Sequence, residues 1–498
     1  MTSLQSLQAD IMSEIFEWLA VISPAQQGNH RATADMGWIL ATHVCRHWRH
    51  VALNLGKLWA GVVCSLPNVS SMEEIRKRAR SCPLRVSIVD SPTELIRIEF
   101  ALRNVTQIES IFCEMIFPWC EELADQGSLP LLRELRIDQE LNGPLTNLRY
   151  LRLDAPGMQR MTLIDVLLPP CHSSLYSNLR DLSISGPSAL PSPSCEILGA
   201  LSHMKVLEHL QMELFKTGPK RLAQWEGYKG DPVHLVKLRT VKLFGWKGSD
   251  VLGLLSKLGA PAHAQVELIV AADEEDSRIL ATLYDRMVDP VHDTCVVDSS
   301  TKGDAVSFVS SDVTPFGHCS KVRVEVRGRG IGGVLLLLAA QCPRLKHITR
   351  WVVEPNKSII PFFARNLLKI CPSVCELVIN ASEPEDFEFL FKRLPGHGSK
   401  YTLTFPGLRV LAVRRIPPSA LRLEDEIGYV YWWSQFQAAI QRYAALGGRL
   451  RQLRLVGEWS WDMPNIRVMD GRAFNYLWNS RLVGDIVEER RWKTVPYS

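Results

Sequence analysis

A chain of 498 residues that is 46% hydrophobic and 22% charged can bury a large core, which excludes a disordered protein. Its 57 Lys and Arg against 53 Asp and Glu leave a formal charge of +4, too small to point to nucleic acid. The longest apolar run near the middle, Val334 to Ala340, falls far short of the ~20 residues that cross a bilayer, so no membrane span is expected.

The N-terminus shows no basic stretch followed by an apolar core, because Asp10, Glu14 and Glu17 interrupt its hydrophobic residues; a cytoplasmic or nuclear location is expected. The 12 cysteines are scattered without Cys-x-x-Cys spacing and read as free thiols. Leu4, Leu7, Ile11, Ile15 and Leu19, with Phe16 beside them, put one apolar face on a first helix, and Asp10 and Glu14 fall on its exposed side. A polar stretch from Ser23 to Gly37 reads as a loop, and Leu40, Val44, Trp48 and Val51 predict a second helix. Two short helices closed by Leu58 and Trp59 cannot bury all of these side chains, so the segment needs a neighbour or a partner.

Three pieces carry a family resemblance: LQADIMSEIFEWL at Leu7 to Leu19, THVCRHWRHVAL at Thr42 to Leu53, and Leu58-Trp59. In this order they resemble an F-box. The resemblance implies a helical module over residues 4–62 that docks on the adaptor subunit of an SCF ubiquitin ligase, through Leu7, Ile11, Ile15, Phe16, Leu19, Val44, Cys45, Trp48, Leu58 and Trp59. Gln8 and Asp10 stand where the family usually has proline and glutamate, and the loop is longer than usual. His43, Cys45, His47 and His50 lie close enough in sequence to suggest zinc, but no second ligand pair follows at finger-like spacing, and no metal or cofactor is expected.

Residues 63–80 read as a connecting helix, in which Arg76-Lys77-Arg78 follow Glu73 and Glu74 at the spacing of paired charges on a solvated face. From residue 81 to 458 a leucine-x-x-leucine-x-leucine unit recurs. Copies begin at 132, 148, 179, 207 and 238, which are 16, 31, 28 and 31 apart, and again at 374, 408 and 450, which are 34 and 42 apart. Helices are predicted at Cys195 to Met204, Asp250 to Leu258, Val334 to Gln341, Ile360 to Ile370, Glu385 to Leu394 and Tyr431 to Leu446. Strand then helix, repeated, means parallel strands, and the fold class expected is α/β: the small helical module followed by an irregular leucine-rich-repeat solenoid. Residues 271–317 break the pattern and read as an irregular insertion, and the Trp-rich segment 459–498 as a C-terminal cap.

The same family resemblance extends to F-box proteins with C-terminal leucine-rich repeats, which implies that the repeats bind a target protein. Arg133, Arg136, Arg149, Tyr150, Arg152, Arg180, Arg451 and Arg454 lie between the leucines and are the candidate target contacts, as a basic stripe facing an acidic partner. One competing pattern is Gly328-x-Gly330-x-x-Gly333 between an alternating strand and an apolar stretch, the layout of a dinucleotide fingerprint, although glycines are also the default at such turns. The chain shows no recognisable catalytic motif, and the function expected is that of a substrate receptor, with a non-ligase repeat scaffold as the alternative and a nucleotide-binding enzyme third.

Overall fold

The structure is a computed structural model that describes residues 7–27, 34–66, 68–88, 94–114, 128–138, 153–164, 166, 168, 174–185, 194–213, 228, 230–259, 264–271, 294–300, 303–313, 319–327, 347–354, 373–379, 387, 390–393, 401–403, 405–414, 426–459 and 464–492. The chain divides into two units, Met1–Thr240 with Gly253–Pro261, and Val241–Leu252 with Ala262–Ser498. Both are mixed α/β and contain parallel strands.

In the first unit, helix α1 (Ala9–Ile22) begins after Gln8, whose extended backbone carries no side-chain cap, and ends where the Ser23 N–H donates to the Leu19 carbonyl at 2.8 Å. The stretch read as a loop contains a short antiparallel pair, β1 (Gln26–Gln27) with β2 (Ala34–Asp35). The second helix is broken in two. A 3-10 segment (Gly37–His43) is followed by α2 (Arg46–Asn54), with Cys45 extended between them as the N-cap of α2. Gly37 sets this geometry: its φ is +44°, the Asp35 carboxylate accepts its N–H at 2.9 Å, and a Cβ there would lie 2.4 Å from the Ser23 carbonyl oxygen. No side chain fits at that corner.

Helices α3 (Gly56–Ala60) and α4 (Val69–Ala79) complete the helical part. The connecting helix is the one expected, capped by Asn68, which accepts the Ser71 N–H at 2.7 Å. Arg76 pairs with Glu73 at 2.9 Å and Arg78 with Glu74 at 3.2 Å, while the Arg78 guanidinium lies over the Trp59 ring at 4.8 Å. Cys64 is buried beside the Ser87 backbone, and burial pushes its thiol up to about 11.

Six strands then pair in parallel and in chain order: β3 (Leu84–Ile88), β4 (Ile108–Cys113), β5 (Glu134–Asp138), β6 (Arg160–Ile164), β7 (Asp181–Ser185) and β8 (His209–Glu213). Alternate residues, among them Leu135, Met161, Leu182 and Leu210, are buried in register, and the residues between them are exposed or half-buried. Helices α5 (Glu94–Arg103) and α6 (Ser194–His203) belong to this unit; α6 lies where a helix was predicted. The copy seated between β5 and β7 is Met158-Met161-Leu163, not the Leu148 copy, whose first five residues fall outside the described residues. Methionine fills leucine positions without the sequence signal. A short parallel pair, β9 (Val233–His234) with β11 (Leu258–Gly259), is also present.

The second unit holds β10 (Thr240–Lys247), which begins one residue before it, and a sheet in which β12 (Gln265–Ala271) pairs with β15 (Cys319–Arg327), β14 (Gly303–Val313), β13 (Thr294–Ser300), β16 (Arg350–Glu354), β17 (Glu376–Ile379), β20 (Val410–Val413), β21 (Leu450–Trp459) and β22 (Val483–Trp492) in succession. The β13–β14 and β14–β15 pairs are antiparallel and the others parallel. The segment read as an insertion therefore supplies two strands of this sheet. Thr294 and Ser307 are buried within them, so polar residues occupy positions where an apolar alternation was sought.

Helix α7 (Gly248–Lys257) lies where a helix was predicted. The helix predicted to Leu394 is corrected at its end: Phe391–Arg393 is a strand, β18, antiparallel to β19 (Tyr401–Leu403). Phe387 and Leu390 are buried, and the Phe387 ring packs on Trp432, so their helix-like spacing reflects burial. Helices α8 (Glu426–Ala445) and α9 (Pro464–Asn479) pack together. Gly447, at φ +91°, ends α8, with the Gly448 N–H returning to the Tyr443 carbonyl at 3.0 Å. The helices predicted at 334–341 and 360–370 lie outside the described residues.

A buried polar centre ties α8, α9 and β22 together. The Asp470 carboxylate accepts from the Tyr429 hydroxyl, from Trp433 Nε1 at 3.0 Å and from the Arg490 guanidinium at 2.6 Å. Burial and then the Asp470 charge push the Tyr429 hydroxyl pKa far up, so it stays a donor. Removing one partner of such a group strands the others in a dry site. Asp470→Ala is expected to destabilise this unit by about 3–5 kcal/mol, read as a lowered urea midpoint in tryptophan fluorescence.

Candidate functional site

The N-terminal helices sort their apolar residues into two sets. Met12 and Phe16 of α1 are fully buried with Trp38, Val51, Ala52 and Trp59. Phe16 meets the Trp38 and Trp48 rings edge-on at 6.1 and 5.7 Å, and Trp38 meets Trp59 at 5.0 Å. Trp59 Nε1 donates to the Ala52 carbonyl at 2.8 Å, which satisfies its polar end.

The second set faces outward. Ile11, Ile15, Trp18 and Ile22 recur at helical spacing and form one stripe beside the core face of α1; Ile11 is 44%, Trp18 67% and Ile22 75% exposed. The chain then returns alongside this helix. Trp38 N–H donates to the Ser23 carbonyl at 2.8 Å near one end, and His47 Nε2 lies 3.1 Å from the Leu7 carbonyl at the other. The returning segment exposes Leu40 (60%) and Val44 (59%). Burial of such side chains is worth roughly 1.5–3 kcal/mol each when complete, so five of them match the about 4–15 kcal/mol that association costs. The face is large enough to matter, and a polar rim has to supply the rest.

Of the ten residues expected to serve the adaptor, Ile11 and Val44 are exposed, Leu7, Ile15, Leu19, Cys45, Trp48 and Leu58 are half-buried, and Phe16 and Trp59 are core. Sequence reasoning missed Trp18 and Ile22 as members of the outward stripe. The i, i+4, i+7, i+11 spacing from Ile11 was the available signal. Of the histidines considered for zinc, His43 Nδ1 lies 3.2 Å from the Arg49 guanidinium and His47 is turned to Leu7, and among the described residues no three His, Cys, Asp or Glu side chains gather at metal-binding distance.

On the strands of the first unit, the arginines are set among acids. Arg133 lies 3.8 Å from Glu109, Arg180 lies 3.5 Å from Glu208, and Arg160 lies 3.3 Å from Asp181. Arg136 pairs with Asp138 at 3.4 Å and covers the Phe112 ring at 5.1 Å. This is a mixed-charge ladder in place of a basic stripe, and exposed pairs of this kind add only about 0–1 kcal/mol each. In the second unit Arg454 lies 2.9 Å from Glu489 and 3.5 Å from Glu376, whereas Arg451 is exposed. Arg149, Tyr150, Arg152 and the Gly328–Gly333 pattern lie outside the described residues.

No known family matches this sequence, and no curated protein matches it. Among solved structures, the crystal structure of a TLR13–ssRNA13 complex is similar at 14% identity with a TM-score of 0.27, covering 78% of this chain and 46% of that one. The chain thus spans about half the length of that protein. Among the described residues no helix is long and apolar enough to cross a membrane.

The division between core and outward face gives opposite outcomes for two substitutions on one helix. Phe16→Ala is expected to cost about 3–5 kcal/mol of stability, whereas Ile11→Asp stays within about 0.5 kcal/mol of the parent in chemical denaturation.

Proposed function

We propose that this chain is the substrate-receptor subunit of an SCF-type ubiquitin ligase, binding the adaptor through its N-terminal helices and a target protein through its strands. The reading combines the F-box resemblance of Leu7–Leu19, Thr42–Leu53 and Leu58-Trp59 with one observation, the outward apolar face of Ile11, Trp18, Ile22, Leu40 and Val44. Large apolar side chains that stay exposed together on a folded helix support a partner's seat there. On the same helix α1 lie the exposed carboxylates Asp10, Glu14 and Glu17, and α2 and α3 expose Arg46, Arg49 and Lys57, which form no ion pair among the described residues, so the helices expose both charges. Such a composition fits a central apolar anchor with a polar surround.

In this role the chain performs no chemistry of its own. It holds a target where other subunits transfer ubiquitin, in the cytoplasm or nucleus, and the rows of strand side chains offer area for a protein surface. The second reading, a repeat scaffold outside any ligase, uses the same strands and differs only in what seats on the helices.

Capture of purified SCF adaptor by the full chain separates the two. The parent is expected to bind, and the Ile11→Asp, Val44→Asp variant to lose at least about tenfold in affinity while keeping its circular dichroism and melting midpoint. No capture by the parent, or undiminished capture by the folded variant, contradicts adaptor binding.

A further inference from the structure

Each repeat places its first intervening residue at the start of a strand, and parallel register sets these residues in a row. In the first unit the row runs Glu109, Arg133, Gln159, Arg180, Glu208, Arg239, with the Arg133 N–H donating to the Glu109 carbonyl at 2.8 Å and the Arg239 N–H to Glu208 at 2.7 Å. Every arginine in it has a carboxylate one strand away, since Arg239 also lies 3.3 Å from Glu208.

The corresponding row of the second unit is built differently. It runs Thr349, Cys375, Arg409, Arg451, with the Arg451 N–H donating to the Arg409 carbonyl at 2.8 Å. Gly484 stands beyond Arg451, held without a side chain because a Cβ would lie 2.7 Å from the Arg451 carbonyl oxygen. Two guanidinium side chains therefore leave neighbouring strands about 4.8 Å apart, between a cysteine and a glycine. Both are exposed, and neither forms an ion pair among the described residues. The next row holds two carboxylates: Glu376 is engaged by Arg350 at 3.1 Å and Arg454 at 3.5 Å, and Asp485 stands opposite Gln452 and forms no ion pair with Arg451 among the described residues. Arg449, also exposed, adds a third cation at the start of β21.

Like charges side by side on neighbouring strands are unfavourable, and an acid at either position would relieve them as it does in the other row. A local arrangement that works against stability where a neutral one is available is the mark of a functional surface. Guanidinium groups match carboxylates in bidentate geometry. We propose that Arg409 and Arg451, with Arg449, receive an acidic segment of the bound partner protein. This rests on the reading of the strands as the target surface and not on adaptor binding, so adaptor capture and this test fail separately.

The test uses the full chain and a fluorescein-labelled glutamate-rich peptide, with its glutamine counterpart and a single-stranded oligonucleotide of equal charge as the other probes. The glutamate peptide is expected to bind, more weakly as salt shortens the reach of the charges, and the Arg409→Glu, Arg451→Glu variant to lose at least about tenfold. Arg133→Glu, placed in the ladder already paired, leaves binding within about twofold. The melting midpoint of Arg409→Glu is expected to stay level or rise, because it recreates the alternation of the first row. Absence of binding by the parent, equal loss in Arg133→Glu, tighter binding of the glutamine peptide or the oligonucleotide, or a lowered midpoint in Arg409→Glu overturns the proposal.

Discussion

Edge-on packing of Phe16, Trp38 and Trp59 is the contact on which the N-terminal surface depends. These rings join α1, the 3-10 segment and α3 around one small core, and Gly37 makes the corner that brings Trp38 back to α1. With the core filled, α1 has no room left for Ile11, Trp18 and Ile22, which sit one step around the helix. A module this small cannot bury a second apolar face on itself. The outward stripe is thus a consequence of how the inner one is packed, and it is what supports the adaptor reading.

The strands follow another constraint, that parallel register repeats every side chain's environment in the neighbouring strand. In the first unit this stacks leucines and methionines into buried rows and sets Glu109, Arg133, Arg180, Glu208 and Arg239 into a ladder of opposed charges. In the second unit strands β16, β17 and β20 are buried on both faces: Trp351, Leu377 and Leu411 on one, continued by Leu453, and Val352, Val378 and Ala412 on the other, with Val296 and Val456 packed against the latter. Near-continuous apolar strands such as β17 and β20 are what that burial requires. An arginine pair standing free at the start of such strands is the more conspicuous for it.

The sequence made the leucine-marked parts legible. Seven of the eight copies named from it begin with leucine, and all but the Leu148 copy have a strand at their position, β5, β7, β8, β10, β17, β20 and β21 in turn, because leucine at period two and three is a direct record of burial. What it hid was burial by other residues. Met158-Met161-Leu163, Ile108-Ile111-Cys113 and Ile348-Trp351-Val353 occupy the same register positions as the leucine copies, and Thr294 and Ser307 are buried in strands that read as an insertion. The N-terminal helices were found, but core and outward residues were pooled, since Phe16 and Ile15 are adjacent in sequence and differ only in which way the helix turns them. Charge was the least legible: Arg133 and Arg451 occupy the same repeat position, and only the neighbouring strand tells that one is paired with Glu109 and the other lies beside Arg409.

Oxidative footprinting of tryptophan, with and without purified SCF adaptor, tests the central claim most directly. The account predicts that Trp18 is modified rapidly in the free chain and protected in the complex, while Trp38 and Trp59 stay protected in both. Trp18 already protected in the free chain, or modified as rapidly after the adaptor is added, would contradict it.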